Sequence, residues 1–148
     1  MSNRKFQELI NLKKMASEIN SKELFEKYQK NSEFWDVQIK EVNQHGLSGD
    51  TMLHIAAWQG NVEDINKLIL LGANVNSIGD LGNTPLHQAI LSEQIESIKF
   101  LLERDVNTSI TNESGEKALD IAKRNGQKEI IDLITKHSNK PTFKKRNK

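Results

Sequence analysis

Apolar residues recur at steps of three and four in three successive stretches of the chain. They are Val62, Ile65, Leu68 and Ile69; then Ile95, Ile98, Leu101 and Leu102; then Ile131, Leu133 and Ile134. Such steps mark one buried face of a helix. A shorter helical pattern precedes each, starting near Thr51, Thr84 and Lys117. Upstream, Phe6, Leu9, Leu12, Met15 and Ile19 form a further helical stripe, with Lys5, Glu8 and Lys13 outside it. A second stripe of Leu24, Phe25 and Tyr28 opens after Asn20, which with Glu23 predicts a capping box. Phe34, Trp35, Ile39 and Val42 make a third apolar set, in which Trp35, Val37 and Ile39 alternate as a strand would. Beyond Ser138 the periodicity stops, which predicts a flexible tail over 139–148.

The paired patterns repeat with a period of 33. Gly49, Gly82 and Gly115 keep that spacing, as do Gly46 and Gly79, while Gly60 and Gly126 are two periods apart. Glycine is favoured where the backbone needs a positive φ or a close approach, so its recurrence predicts one turn built several times. Thr51-Met52-Leu53-His54-Ile55-Ala56-Ala57 matches Thr84-Pro85-Leu86-His87-Gln88-Ala89-Ile90, and Lys117-Ala118-Leu119-Asp120-Ile121-Ala122 is a more divergent third copy. Val42-Asn43 matches Val75-Asn76 in the same way. Thr51 and Thr84 are suited to cap a helix, Pro85 to its first turn, and Ala56, Ala57 and Ala89 to close helix packing.

Thr84-Pro85-Leu86-His87-Gln88-Ala89 carries the T-P-L-H-x-A pattern, and with the period of 33 the chain resembles an ankyrin-repeat protein over about residues 42–138. The resemblance implies an all-α solenoid of helix-turn-helix units with protruding turns. It divides the chain into an N-terminal helical cap (1–44), three repeats (45–77, 78–110 and 111–138) and a basic flexible tail (139–148). Three departures stand out. Glu93 replaces the glycine between the helices of the second unit, Asp105 replaces the counterpart of Gly72, and the third unit lacks Thr, Pro and His. Three units are about the minimum for such an array, and its ends need covering. The N-terminal helices would supply one cover, or else a docking element for a partner.

Composition narrows the chemistry. Hydrophobic residues make up 36% of the 148, which suits a thin, elongated core. There is no cysteine, so disulfides, thiolate metal sites and thiol catalysis are excluded. No apolar run is long enough to span a bilayer, and no signal-peptide pattern opens the chain, so a cytoplasmic location with no membrane association is expected. Net charge is +1, unevenly placed: Lys140, Lys144, Lys145, Arg146 and Lys148 leave 16 bases against 20 acids in the rest. The tail could contact phosphates, but Phe143 is its single aromatic, so a solvated tail is preferred over nucleic-acid binding.

Of the four histidines, His54 and His87 fill the motif slot that, in the family, ties neighbouring repeats by hydrogen bonds. With Asp120 they could form a row, read here as a structural network rather than a pH-sensitive ladder. No metalloprotease, serine-hydrolase, phosphate-loop or EF-hand pattern is present, and no cofactor or metal is implied. The chain therefore reads as non-catalytic.

The family binds proteins through its turn tips and the concave face of its first helices. Carried over position by position, the tips are Leu47, Ser48 and Asp50; Asp80, Leu81 and Asn83; and Glu113, Ser114 and Glu116. The first-helix positions are Trp58 and Gln59, Leu91 and Ser92, Arg124 and Asn125. Trp58, Leu81 and Leu91 would form an apolar patch inside an acidic rim of Asp50, Asp80, Glu113 and Glu116, suiting a basic partner; alternatively Trp58 folds onto the N-terminal cap. The expected function is non-catalytic binding of another protein by a chain that is monomeric when free. The alternative is a dedicated inhibitor, such as an immunity protein for a toxin, a role that small free-standing ankyrin proteins can serve in bacteria. The abundance of Lys, Asn and Ile fits a low-GC microbe.

Overall fold

Thr51 and Thr84 lie in extended backbone directly ahead of a helix, and Pro85 occupies the first helical turn of the second unit. The computed structural model describes residues 2–140. The described elements are α1 (Asn3–Glu18), α2 (Ser21–Gln29), α3 (Met52–Gln59), α4 (Val62–Leu70), α5 (Pro85–Leu91), α6 (Ile95–Leu102), α7 (Ala118–Arg124) and α8 (Lys128–Ser138), with 3₁₀ turns at Ser32–Phe34 and Asp80–Gly82. No strand is present among them beyond an isolated antiparallel bridge between His45 and Thr51. The residues from 141 on, including most of the basic tail, lie outside the described ones.

Two layers follow from side-chain size. The first helices α3, α5 and α7 stack as one layer, and α4, α6 and α8 as the other. Ala56, Ala57, Ala89, Ala118 and Ala122 are buried, which lets the first layer close up. Ile65, Leu68, Ile98, Leu101, Ile130 and Ile134 fill the space between layers. Fully burying one such side chain stabilises by about 1.5–3 kcal/mol.

Polar stitches hold the units in register. Nδ1 of His54 accepts the backbone N–H of Thr51 at 3.0 Å, so the proton lies on Nε2, which donates to the carbonyl of Asn83 at 3.0 Å. His87 repeats this with Thr84 at 3.1 Å and the Glu116 carbonyl at 3.1 Å. Asn43 donates to the Gly72 carbonyl at 3.2 Å and accepts from Asn74 at 2.8 Å, and Asn76 does the same to Asp105 at 3.2 Å and from Asn107 at 2.7 Å. Burial is the main force lowering the pKa of both His54 and His87 below its ordinary 6.5. The Asp50 charge and the carbonyl bonds partly oppose it at His54.

The N-terminal segment meets the first repeat through a buried carboxylate. Asp64 receives Lys27 at 2.6 Å, the Tyr28 hydroxyl at 2.8 Å and the Asn61 amide at 3.1 Å. Burial first, and then Asp64, push the Tyr28 hydroxyl well above the usual tyrosine range. Leu24, Tyr28, Phe34 and Ile39 are buried here. The α1 stripe is not: no residue of α1 is buried, and Phe6, Leu9, Ile10, Leu12 and Met15 are exposed. The side chains buried at this end come from α2 and the segment after it, while α1 touches α4 without burying a residue of its own. Asn20 does cap α2, accepting the Glu23 N–H at 3.1 Å. The alternation of Trp35, Val37 and Ile39 does not make a strand, because Phe34 closes a 3₁₀ turn that leaves Trp35 83% exposed.

The departures from the repeat have local answers. Glu93 adopts the left-handed turn that glycine would, with φ +56°, and its carboxylate takes an amide hydrogen of Gln127 at 3.1 Å. Asp105 does not take a left-handed turn; the chain instead closes through Val106 N–H to the Arg104 carbonyl. In the third unit Asp120 replaces histidine and still accepts the Lys117 N–H at 2.9 Å.

Three outcomes are expected. Gly82 and Gly115 have φ of +73° and +75°, but only at Gly82 would an added Cβ meet a backbone atom, the Glu113 nitrogen at 2.8 Å. In urea unfolding both alanine variants should lose about 1 kcal/mol from φ alone. Gly82→Ala should lose clearly more, and equal losses would contradict the hairpin packing. Tyr28→Phe should cost about 1–2 kcal/mol by removing a bond to a charged, buried acceptor. Because the folded pKa values of His54 and His87 are depressed, the unfolded chain binds more protons once pH falls below about 6.5. Their contribution is full above that pH and is lost as pH falls through the folded values. The melting temperature followed by circular dichroism should therefore drop from pH 7.5 to 5.5, and a flat profile would rule out neutral buried stitches.

Candidate functional site

Three hairpins of one geometry project from the start of each unit. Gly46 N–H bonds the Asp50 carbonyl at 2.8 Å, Gly79 that of Asn83 at 2.8 Å, and Asn112 that of Glu116 at 2.9 Å. They are joined side by side. The Asp50 carboxylate accepts the Asp80 N–H at 2.9 Å, and the Leu81 carbonyl accepts the Glu113 N–H at 3.0 Å. Glu33 holds the first hairpin from the N-terminal side, accepting Leu47 N–H at 2.8 Å on its carbonyl and both the N–H and hydroxyl of Ser48 at 2.7 Å on its carboxylate. The tips thus form a continuous, internally bonded row.

Several expected contact residues are exposed or partly exposed on this row and the neighbouring helix ends. Leu47 is 61% exposed, Leu81 62% and Trp58 50%. Gln59, Glu113, Arg124 and Asn125 are exposed, and Asp80 is half-buried. Half of Trp58 therefore remains open at the end of α3.

Others are committed internally. Asn83 is buried rather than at the tip: its carbonyl receives His54 and Gly79, and its amide oxygen receives Asn112 at 3.1 Å. Leu91 is half-buried and packs on the core, so it is a floor rather than a knob. The Ser92 hydroxyl donates to the Gln88 carbonyl at 2.8 Å. The acidic rim is thinner than the sequence suggests. Asp50 is occupied by Asp80 and by the Gln88 amide at 3.2 Å, while Glu116 forms a two-pronged pair with Arg124 at 2.8 and 3.2 Å. Among the described residues, Asp80 and Glu113 are the rim acids whose carboxylates make no such side-chain pair.

Two exposed apolar residues were not singled out as contacts in the sequence. Trp35 follows the turn that carries Glu33, and Ile78, 48% exposed, immediately precedes the second hairpin. The register offered one signal: Ile78 directly precedes Gly79, whose place in the glycine period marks the hairpin. Trp35 gave none, since its alternation pointed to a strand. Backbone strain marks the centre of the row, where Leu81 has φ +54°, rare for a residue with a branched side chain.

Among the described residues no group of three or more His, Asp or Glu is placed to hold a metal ion, and none of the described helices is long and apolar enough to cross a membrane. His54 and His87 are both buried and spend both ring nitrogens on the stitches.

The family model for ankyrin repeats in three copies matches residues 53–145. No curated protein matches the chain. Ankyrin repeats are generic protein–protein interaction modules, and the match covers well over half the chain, in agreement with the two-layer helices, the hairpin row and the histidine stitches: the chain belongs to the ankyrin-repeat family.

Proposed function

We propose that this protein is a non-catalytic binder of another protein, and that it engages its partner with the hairpin row and the adjoining ends of the first helices. The observation that carries the reading is the coincidence of exposed apolar side chains with a rigid backing. Leu47, Leu81 and Trp58 are open to solvent while the backbone under the tips is bonded from Glu33 to Glu113. Large apolar side chains on a preorganised frame give much affinity for little ordering cost. Asp80 and Glu113 favour a partner with some basic character, though less than four free carboxylates would. A cytoplasmic site of action suits a chain without cysteine.

Whether the partner is one enzyme or toxin, neutralised by a dedicated inhibitor, or several proteins gathered by a scaffold is a matter of stoichiometry and affinity. A tagged pull-down from the native source with mass spectrometry reads both. Trp58→Ala with Leu81→Ala is the control, because Leu91 is too well packed for a clean surface variant. The double variant should lose at least about 2 kcal/mol of binding, roughly thirtyfold in affinity, with helicity unchanged. One stoichiometric protein lost with the variant supports the inhibitor or subunit role, and several weaker ones support the scaffold. The same set captured by both baits overturns the hairpin-row reading.

A further inference from the structure

Helix α1 is 16 residues long and none of them is buried. Its C-terminal end touches α4, where Ala16 and Ile19 are half-covered; the rest runs on with its apolar stripe in solvent. Phe6, Leu9, Ile10, Leu12 and Met15 remain 42–58% exposed. Together they leave about 500 Å² of apolar surface per chain, at the upper end of what a monomer usually shows. This patch is built from a different element than the hairpin row.

The charges on α1 oppose its own dipole. Its first turn holds Arg4 and Lys5 and no acid, and its last turn holds Glu18 and no base. A helix is better served by acids at its start and bases at its end. Arg4 does contact Glu8 at 3.6 Å, but both are exposed and such a pair contributes little. Lys13 and Lys14 lie in the middle. Around the C-terminal end, Glu18, Glu23 and Glu26 line a groove floored by Met15, Ile19, Leu24 and Leu70; Glu23 accepts the Asn20 amide at 3.3 Å, and Glu26 makes an exposed contact with Lys22 at 4.0 Å. The cations lining the same groove are Lys27, held by Asp64 at 2.6 Å, Lys67, held by Glu63 at 2.7 Å, and Lys30.

We propose that α1 is a self-association helix, through which two copies of the chain pair antiparallel. With the two-fold axis near the middle of the helix, Leu9 faces Leu12 of the second copy, and Phe6 and Met15 flank that seam on either side. Arg4 and Lys5 then reach the groove end of the second copy, among Glu18, Glu23 and Glu26. The two dipoles run oppositely, so each charged end meets the end it suits. Fully covered, the apolar area of two copies would sum to about 1,000 Å², below the ~1,200 Å² at which stable interfaces begin, so a weak, reversible dimer is expected. This departs from the monomer expected from the sequence.

Sedimentation equilibrium of the full chain over about 1–300 µM tests it. The mass should climb from 16.9 kDa toward twice that value. Arg4→Glu with Lys5→Glu should weaken the dimer at least tenfold, and so should Glu18→Lys. Mixing the two variants should restore a mixed dimer, because each reversed end then meets its opposite. Circular dichroism should show both variants folded, since α1 contributes no buried residue. A constant mass of one chain at all concentrations overturns the proposal. So does a dimer untouched by either variant, which would place the contact elsewhere, and so does a monomer whose α1 binds anionic phosphatidylserine vesicles instead.

Discussion

The fold depends on one hydrogen bond made twice: an imidazole Nε2–H of one unit donating to a hairpin carbonyl of the next, His54 to Asn83 and His87 to Glu116. A single helix pair in this chain has no core of its own, so it gains stability only by stacking. Apolar stacking is non-directional and would tolerate sliding. The imidazole does not, because its Nδ1 is fixed by the helix cap at Thr51 or Thr84. Helix start, ring orientation and the position of the following hairpin are thus set by one side chain. Asn43 and Asn76 make a second bridge of similar span, so each joint is pinned at two points.

The ends of the array follow from the same constraint. At the C-terminal end the histidine slot holds Asp120. A carboxylate can perform the capping half of the task, accepting the Lys117 N–H, but it has no proton for a further unit. The histidine stitch is therefore not repeated from the third unit. At the other end Asp64 acts as acceptor for groups outside the repeat, so the N-terminal segment attaches by charge-assisted bonds from Lys27 and Tyr28 as well as by apolar burial. Removing one partner of such a buried carboxylate is costly, which makes this joint specific as well as stabilising.

The repeat was legible because it is written in residue types whose physics is local. Glycines at a fixed interval, Thr before a helix and Ala on its buried face each have one strong structural meaning. The same economy misled elsewhere. The apolar stripe of α1 announces a helix but not what covers it, and the structure leaves it open. Alternation at Trp35–Ile39 mimics a strand, although the bonds of Gln29 to the carbonyls of Phe34 and Val37 and to the N–H of Ile39 hold that stretch as a loop. Asn83 occupies a tip position by register yet is buried, because its carbonyl is the receiver of the histidine stitch. Acidity at the tips was likewise overcounted, since sequence shows formal charges and not the internal donors that occupy Asp50 and Glu116.

Two left-handed residues other than glycine show how strain is distributed. Glu93 has a side-chain partner in Gln127, so its turn is held by an interaction the side chain itself makes. Leu81 has none of that kind: its side chain is exposed, and only its carbonyl is held, by the Glu113 N–H. A glycine would relieve about 1 kcal/mol of backbone cost at such a position. The strain is therefore borne by the hairpin row, whose bonds to the neighbouring tips keep the turn in place. An apolar side chain held in solvent by such a frame contributes nothing to the isolated fold, and that is the physical ground for the proposal that this row makes contact with a partner.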